Sequence, residues 1–214
     1  MANRNKVNQS KTTRTGKPAG RSSKAGQFRV IGGQWKGRKL RFVEVEGLRP
    51  SLDRVRETLF NWLQADIHGA VCLDLFAGSG AIGIEALSRG AKQVSFIELN
   101  KKAAQQLSDN LQALSTDQAI LVQGDALKFI EQNTGAFDII FIDPPFHKGI
   151  AQKVIEQLSQ SNLLHPETII YIEVEQGLEL VVPEQWQLLK DKKAGQLLYK
   201  LYQLVEPEGV QEGQ

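Results

Sequence analysis

Four consecutive residues, Asp143-Pro144-Pro145-Phe146, close the apolar run Phe137 to Ile142. Two prolines fix the backbone and remove its N–H donors, which leaves neighbouring carbonyls free to accept from a substrate amine. Asp143 adds a carboxylate acceptor. An exocyclic base amine is a poor nucleophile because its lone pair is delocalised into the ring. Two acceptors on its N–H groups favour a pyramidal nitrogen, an effect of positioning and partial charge stabilisation rather than prior deprotonation. Phe146 supplies a flat apolar face for stacking an extruded base. The competing account of these four residues is a rigid strand-ending turn with an aspartate cap.

A second constellation lies upstream. Asp74-Leu75-Phe76-Ala77-Gly78-Ser79-Gly80-Ala81-Ile82-Gly83 follows an apolar strand and opens a helix, and its glycines satisfy G-x-G-x-x-G. Such glycines let the backbone turn tightly and approach a ligand. A dinucleotide would set its pyrophosphate on the helix N-terminus, whereas S-adenosylmethionine has no phosphate and offers an ammonium, a carboxylate and a sulfonium. Asp74 would oppose a pyrophosphate but can pair with an ammonium. Glu98 ends the next strand, where a carboxylate can accept both ribose hydroxyls, in NAD sites and in methyltransferases alike. Asp125, after the third strand, is either an acceptor at an adenine edge or a helix N-cap. The expected cofactor-binding residues are Asp74, Phe76, Gly78, Ser79, Gly80, Glu98, Leu99, Asp125, Ala126 and Asp143, and the expected catalytic residues are Asp143, Pro144, Pro145 and Phe146.

The elements that must position these residues alternate. Val71 to Phe76, Gln93 to Leu99, Ala119 to Val122, Phe137 to Ile142 and Thr168 to Val174 read as strands; Ala81 to Ser88, Lys101 to Leu114, Asp125 to Gln132 and Ile150 to Ser159 read as helices. Apolar β-branched strands separated by helices indicate an α/β fold with a parallel sheet covered on both faces. Trp186 to Leu189 and Gln196 to Val205, joined by the polar link Lys190 to Gly195, suggest an antiparallel hairpin closing one edge. In front, Phe28 to Ile31 and Arg38 to Val43 read as a small basic β-hairpin, and Leu52 to Ala65 as a helix with Ser51 as its N-cap.

The formal charge of +2 conceals an asymmetry. Met1 to Arg41 carries 12 of the 26 Lys and Arg and no acid, so the remainder holds 14 basic against 24 acidic residues, a net of −10. A cationic arm on an acidic body fits a polyanionic partner or a solubilising tail. Residues 1–27 have almost nothing apolar to bury and are expected to be disordered. The expected organisation is this tail, a hairpin and helix over 28–66, a catalytic domain over 67–206, and a flexible tail over 207–214. The one cysteine, Cys72, sits in an apolar run and fits a buried thiol in a reducing, cytoplasmic setting; one Cys and three scattered His give no metal-ligand spacing, so no metal is expected.

The series Asp74 to Gly83, Glu98, Asp125 and Asp143 to Phe146 resembles amino-methylating class I methyltransferases, which implies a Rossmann-like, seven-stranded sheet with an antiparallel last pair. Arg29-Val30-Ile31-Gly32-Gly33-Gln34-Trp35-Lys36-Gly37-Arg38-Lys39-Leu40 and the run Leu48 to Leu63 resemble the RsmD family more narrowly. That resemblance implies S-adenosylmethionine as donor, N2 of one guanine in bacterial 16S ribosomal RNA as acceptor, a partly or fully assembled small-subunit particle as partner, and a monomeric enzyme. The residues expected to meet RNA are Arg29, Trp35, Lys36, Arg38, Lys39, Arg41, Arg49, Arg54 and Lys148. Ser51 and Leu52 depart from the threonines common in the family, and the long basic tail is unusual. Three readings remain at this point: the guanine or adenine amine methyltransferase, an NAD-linked oxidoreductase that leaves Asp74 and Asp143 to Phe146 unexplained, and a non-catalytic RNA-binding module that leaves the whole cofactor constellation unexplained.

Overall fold

The computed structural model describes residues 25–43, 53–146 and 149–205. Ser51, Arg49 and Lys148, with the segments 1–24 and 206–214, lie outside the described residues.

Seven strands form one sheet: β3 (Val71–Asp74), β4 (Gln93–Glu98), β5 (Ala119–Gln123), β6 (Ile139–Ile142), β7 (Ile169–Glu175), β8 (Trp186–Ala194) and β9 (Leu197–Leu204), in the order β5-β4-β3-β6-β7-β9-β8. The first five are parallel and the β8–β9 pair is antiparallel. From β3 the chain winds outward through β4 and β5, then returns to lay β6 against the other side of β3. That switch leaves a crevice at the carboxyl ends of β3 and β6.

Helices cover both faces. On one lie α1 (Asp53–Trp62), α2 (Ala81–Ser88) and α3 (Lys101–Leu114), packed over Cys72, Phe96, Phe141, Tyr171 and Tyr199. On the other lie α4 (Ala126–Gln132) and α5 (Ile150–Ser159), packed over Leu73, Ile97, Ile140, Ile142 and Ile172. Successive strand residues alternate between these two cores, which is why the inner strands read as unbroken apolar runs. Helix α3 starts where Asn100 accepts from the N–H groups of Lys102 and Ala103.

Two expectations shift. The front hairpin consists of β1 (Ala25–Arg29) and β2 (Lys39–Val43), so pairing begins inside the segment assigned to the tail. Backbone bonds from Ala25, Gly26 and Gln27 to β2 do not depend on apolar side chains, and composition could not reveal them. The polar stretch Lys190 to Lys193 is strand rather than link, and the turn shrinks to Gly195-Gln196. Being the sheet edge, β8 is exposed along nearly its whole length and carries lysines where an inner strand would be apolar.

Candidate active site

Asp74 ends β3 and is buried at the floor of the crevice, where its Oδ2 accepts from the Gly83 N–H at 3.2 Å. Its carboxyl is pushed up to about 7, first by burial and then by Asp143, with Glu98 adding to the effect. The N–H groups of Gly83 and Phe76 oppose that rise. The glycine loop folds back over this acid. Gly80 is left-handed at φ +78°, and a Cβ there would come within 2.3 Å of the Leu107 side chain. Only glycine satisfies both demands. Ser79 is buried in the loop and Phe76 half-buried beside it.

Glu98 ends β4 and is buried, one oxygen accepting from the Gly78 N–H at 2.7 Å and the other from the Asn100 N–H at 2.6 Å. It therefore latches the glycine loop onto the neighbouring strand. A carboxylate has about four lone-pair sites, so these two bonds leave capacity for hydroxyl donors. Leu99 next to it is 66% exposed at the rim. Asp125 caps α4 by accepting from the Lys128 N–H at 3.1 Å, and Ala126 is buried behind it. The N-cap reading of Asp125 is thus realised, on the same rim as Leu99.

Asp143 and Pro145 are half-buried and Pro144 buried just beyond β6, while Phe146 is 40% exposed. Asp143 acts on two buried groups of the α1–α2 face. It raises Asp74, and it contributes, after burial and Glu173, to holding the Tyr171 hydroxyl well above its usual range. Tyr171 keeps its proton and donates a hydrogen bond to Glu173 at 2.7 Å. Glu173, buried near the end of β7, was overlooked in the sequence; a lone carboxylate in Ile169-Ile170-Tyr171-Ile172-Glu173-Val174 was the available signal.

A second overlooked group holds the front hairpin. Glu85, inside the wholly buried α2, accepts from the N–H groups of Ile31 and Gly32 at 2.7 Å each and from Arg89 Nε at 2.7 Å. Ser88 Oγ takes the Trp35 N–H and donates to the Gly32 carbonyl. Gly33 has φ +73°, and a Cβ there would fall 1.7 Å from the Ser88 carbonyl oxygen. Arg56, fully buried, ties the carbonyls of Arg29 and Ala81 to Asp53 and lies 4.0 Å from Glu85.

The clamp decides where the basic residues stand. Arg29, Lys36, Arg38, Lys39, Arg41 and Arg54 are exposed and Trp35 is half-buried. Phe42, next to Arg41 in the chain, is buried with its ring against Gly26. The β1–β2 turn is fastened at the Ser88 end of α2, about 12 Å, one eight-residue helix, from the Gly80 end that faces the crevice.

The crevice chemistry selects among ligands. Three carboxylates converge on it, and one is already driven toward neutrality, so added pyrophosphate would be repelled and an ammonium or sulfonium relieves the strain. Among the described residues no group of three His, Cys, Asp or Glu is placed to hold a metal ion.

The family described as conserved hypothetical protein 95 matches residues 28–203. The ribosomal RNA small subunit methyltransferase D of Haemophilus influenzae is 50% identical over 182 residues, covering 83% of this chain and 94% of the relative. The enzyme of the same name from Escherichia coli K12 is 49% identical over 85% of this chain and 92% of its own length. The solved structure of the putative methyltransferase yhhF from Escherichia coli superposes with a TM-score of 0.78 at 47% identity, over 85% of this chain and all of that one. With this span of identity and a superposition that covers the whole of the solved relative, the chain belongs to the RsmD family of methyltransferases.

Proposed function

We propose that this protein transfers a methyl group from S-adenosylmethionine to the exocyclic N2 of a guanine in 16S ribosomal RNA. The observation that carries the reading is the closeness of Asp143 to the buried Asp74, with Pro144, Pro145 and the exposed Phe146 following Asp143 in the chain. The names of the relatives, small-subunit ribosomal RNA methyltransferases, support the choice of RNA.

When bound, S-adenosylmethionine supplies an electrophilic methyl on a sulfonium. Asp74 pairs with its ammonium, the glycine loop Gly78 to Gly80 gives the backbone room, Glu98 accepts ribose hydroxyls, and Phe76, Ser79, Leu99, Asp125 and Ala126 border the adenosine. Asp143 and the carbonyls fixed by Pro144 and Pro145 accept from the two N–H groups of the guanine amine and aim its lone pair. Phe146 stacks on the extruded base. Arg29, Trp35, Lys36, Arg38, Lys39, Arg41 and Arg54, with Arg49 and Lys148 outside the described residues, meet the RNA. The protein acts as a monomer on a partly or fully assembled small-subunit particle in the cytoplasm.

Nucleoside mass spectrometry on 16S RNA from a deletion strain, with and without the restored gene, tests the reading. Loss and return of one N2-methylguanosine is the expected result. Loss of a methyladenosine would move the acceptor to adenine N6, and an unaltered nucleoside profile would reject the substrate.

A further inference from the structure

The registers of the sheet bring two lysines to the catalytic end of the molecule. β9 runs antiparallel to β7 and β8 antiparallel to β9, so β8 runs parallel to β7 and its carboxyl end lies at the same end of the sheet as the crevice. Lys192 pairs with Tyr199, which pairs with Glu173; Ile172 pairs with Ile142, so the next position along brings Glu173 beside Asp143. One row across the sheet is therefore Asp143, Glu173, Tyr199, Lys192. The row beneath is Phe141, Tyr171, Leu201, Lys190.

Residues paired across strands share a face. Tyr171, Tyr199, Leu201 and Phe141 are buried on the side of α1 and α2, so Lys190 and Lys192 project on the face that Asp74 and Asp143 occupy. Asp191 and Lys193 take the opposite face, where Asp191 stands across from Lys200. Both Lys190 and Lys192 are exposed, and no ion pair joins either to a described carboxylate. Three strand spacings of ~4.8 Å along this row separate Lys192 from Asp143, about 14 Å in all. The half-buried Trp62 ring packs on Tyr199, the register partner of Lys192, at 5.4 Å between centroids.

We infer that Lys190 and Lys192 of the edge strand form an RNA-docking surface that grips phosphates of the nucleotides flanking the methylated base. This rests on the ribosomal RNA reading above. Two cations on the catalytic face of a body that is otherwise net acidic give a polyanion a defined approach to the crevice. Edge lysines also discourage strand-to-strand aggregation. The two roles separate by charge sign, because glutamate guards an edge as lysine does but repels phosphate.

The test compares wild type with Lys190→Gln/Lys192→Gln and Lys190→Glu/Lys192→Glu. Binding to small-subunit particles from a deletion strain is measured by filter retention over a salt series, alongside cofactor calorimetry, gel filtration and methyl-transfer kinetics. The glutamine pair should lose up to about two units of salt slope and raise KM roughly ten-fold, with kcat and cofactor affinity within about two-fold. The glutamate pair should bind more weakly still and elute as wild type does. Unchanged slope and KM in the glutamate pair, or losses that appear only with aggregation, would overturn the docking surface. A wild type that transfers no methyl to the particles would instead overturn the substrate reading on which it rests.

Discussion

The charge of Asp143 is, after burial, the largest reason that Asp74 holds its proton up to about 7. The residue proposed to aim the acceptor amine thus also sets the ionisation of the residue proposed to hold the donor. Two acids from adjacent parallel strands are brought together by the β3–β6 register, in which Asp74 pairs with Phe141, two residues before Asp143.

This coupling predicts a pH dependence. An unfolded aspartate titrates near ~3.9, whereas Asp74 in the ligand-free fold titrates at about 7. The folded state binds the proton more tightly between those values, so the contribution to stability is fully present below ~4 and is lost as pH rises through about 7. Ligand-free protein should lose thermal stability across that window, and cofactor affinity should rise across it, with proton release on binding. Asp74→Asn should flatten both trends and weaken binding by about 1.5–3 kcal/mol, the value of a hydrogen bond to a charged group. Calorimetry in buffers of different ionisation enthalpy measures the proton, and a pH-independent wild-type affinity would remove Asp74 from the cofactor.

Asp143→Ala is expected to keep cofactor binding within a few fold while methyl transfer falls by ~10² or more, because its proposed role is toward the reacting amine. Single-turnover transfer of a radiolabelled methyl reads this directly. Undiminished turnover would sink the assignment.

Glu85 should behave as a structural clamp. Glu85→Ala strips two backbone N–H groups and Arg89 of their acceptor and leaves Arg56 buried with less compensating charge, a loss of about 3–5 kcal/mol by analogy with broken buried pairs. Gly33→Ala should unseat the same turn from the opposite side, since its φ and the Ser88 carbonyl both exclude a Cβ. Urea denaturation is the measurement. A loss below ~1 kcal/mol in both variants would show that the hairpin is held elsewhere.

Cys72 is predicted to be inert. Burial first, then Asp138 and Asp74, push its thiol far up, so almost no thiolate exists near neutrality. A thiol-specific reagent at pH 8 should label the native protein no faster than it unfolds; rapid labelling would mean that the β3 core opens.

Periodicity and spacing alone determined the order of strands and helices, the glycine loop with Asp74 at its base, Glu98 at a strand end and the proline-braced Asp143. Each is written in a stretch of ten residues or fewer, where strand and helix periods and turn chemistry act. Only the tertiary structure decided that Glu98 latches Gly78, that Asp125 serves α4 as its cap, that Phe42 is buried, and that Lys190 to Lys193 continue a strand. It also decided that the hairpin turn is fastened at the Ser88 end of α2 and that the carboxyl end of β8 lies at the same end of the sheet as the crevice. The reason is physical: a carboxylate such as Glu85 takes its partners from Ile31 and Gly32, more than fifty residues away, and a row such as Asp143 to Lys192 exists only once four strands have settled into register. Local sequence specifies which groups are available, and long-range pairing specifies which of them meet.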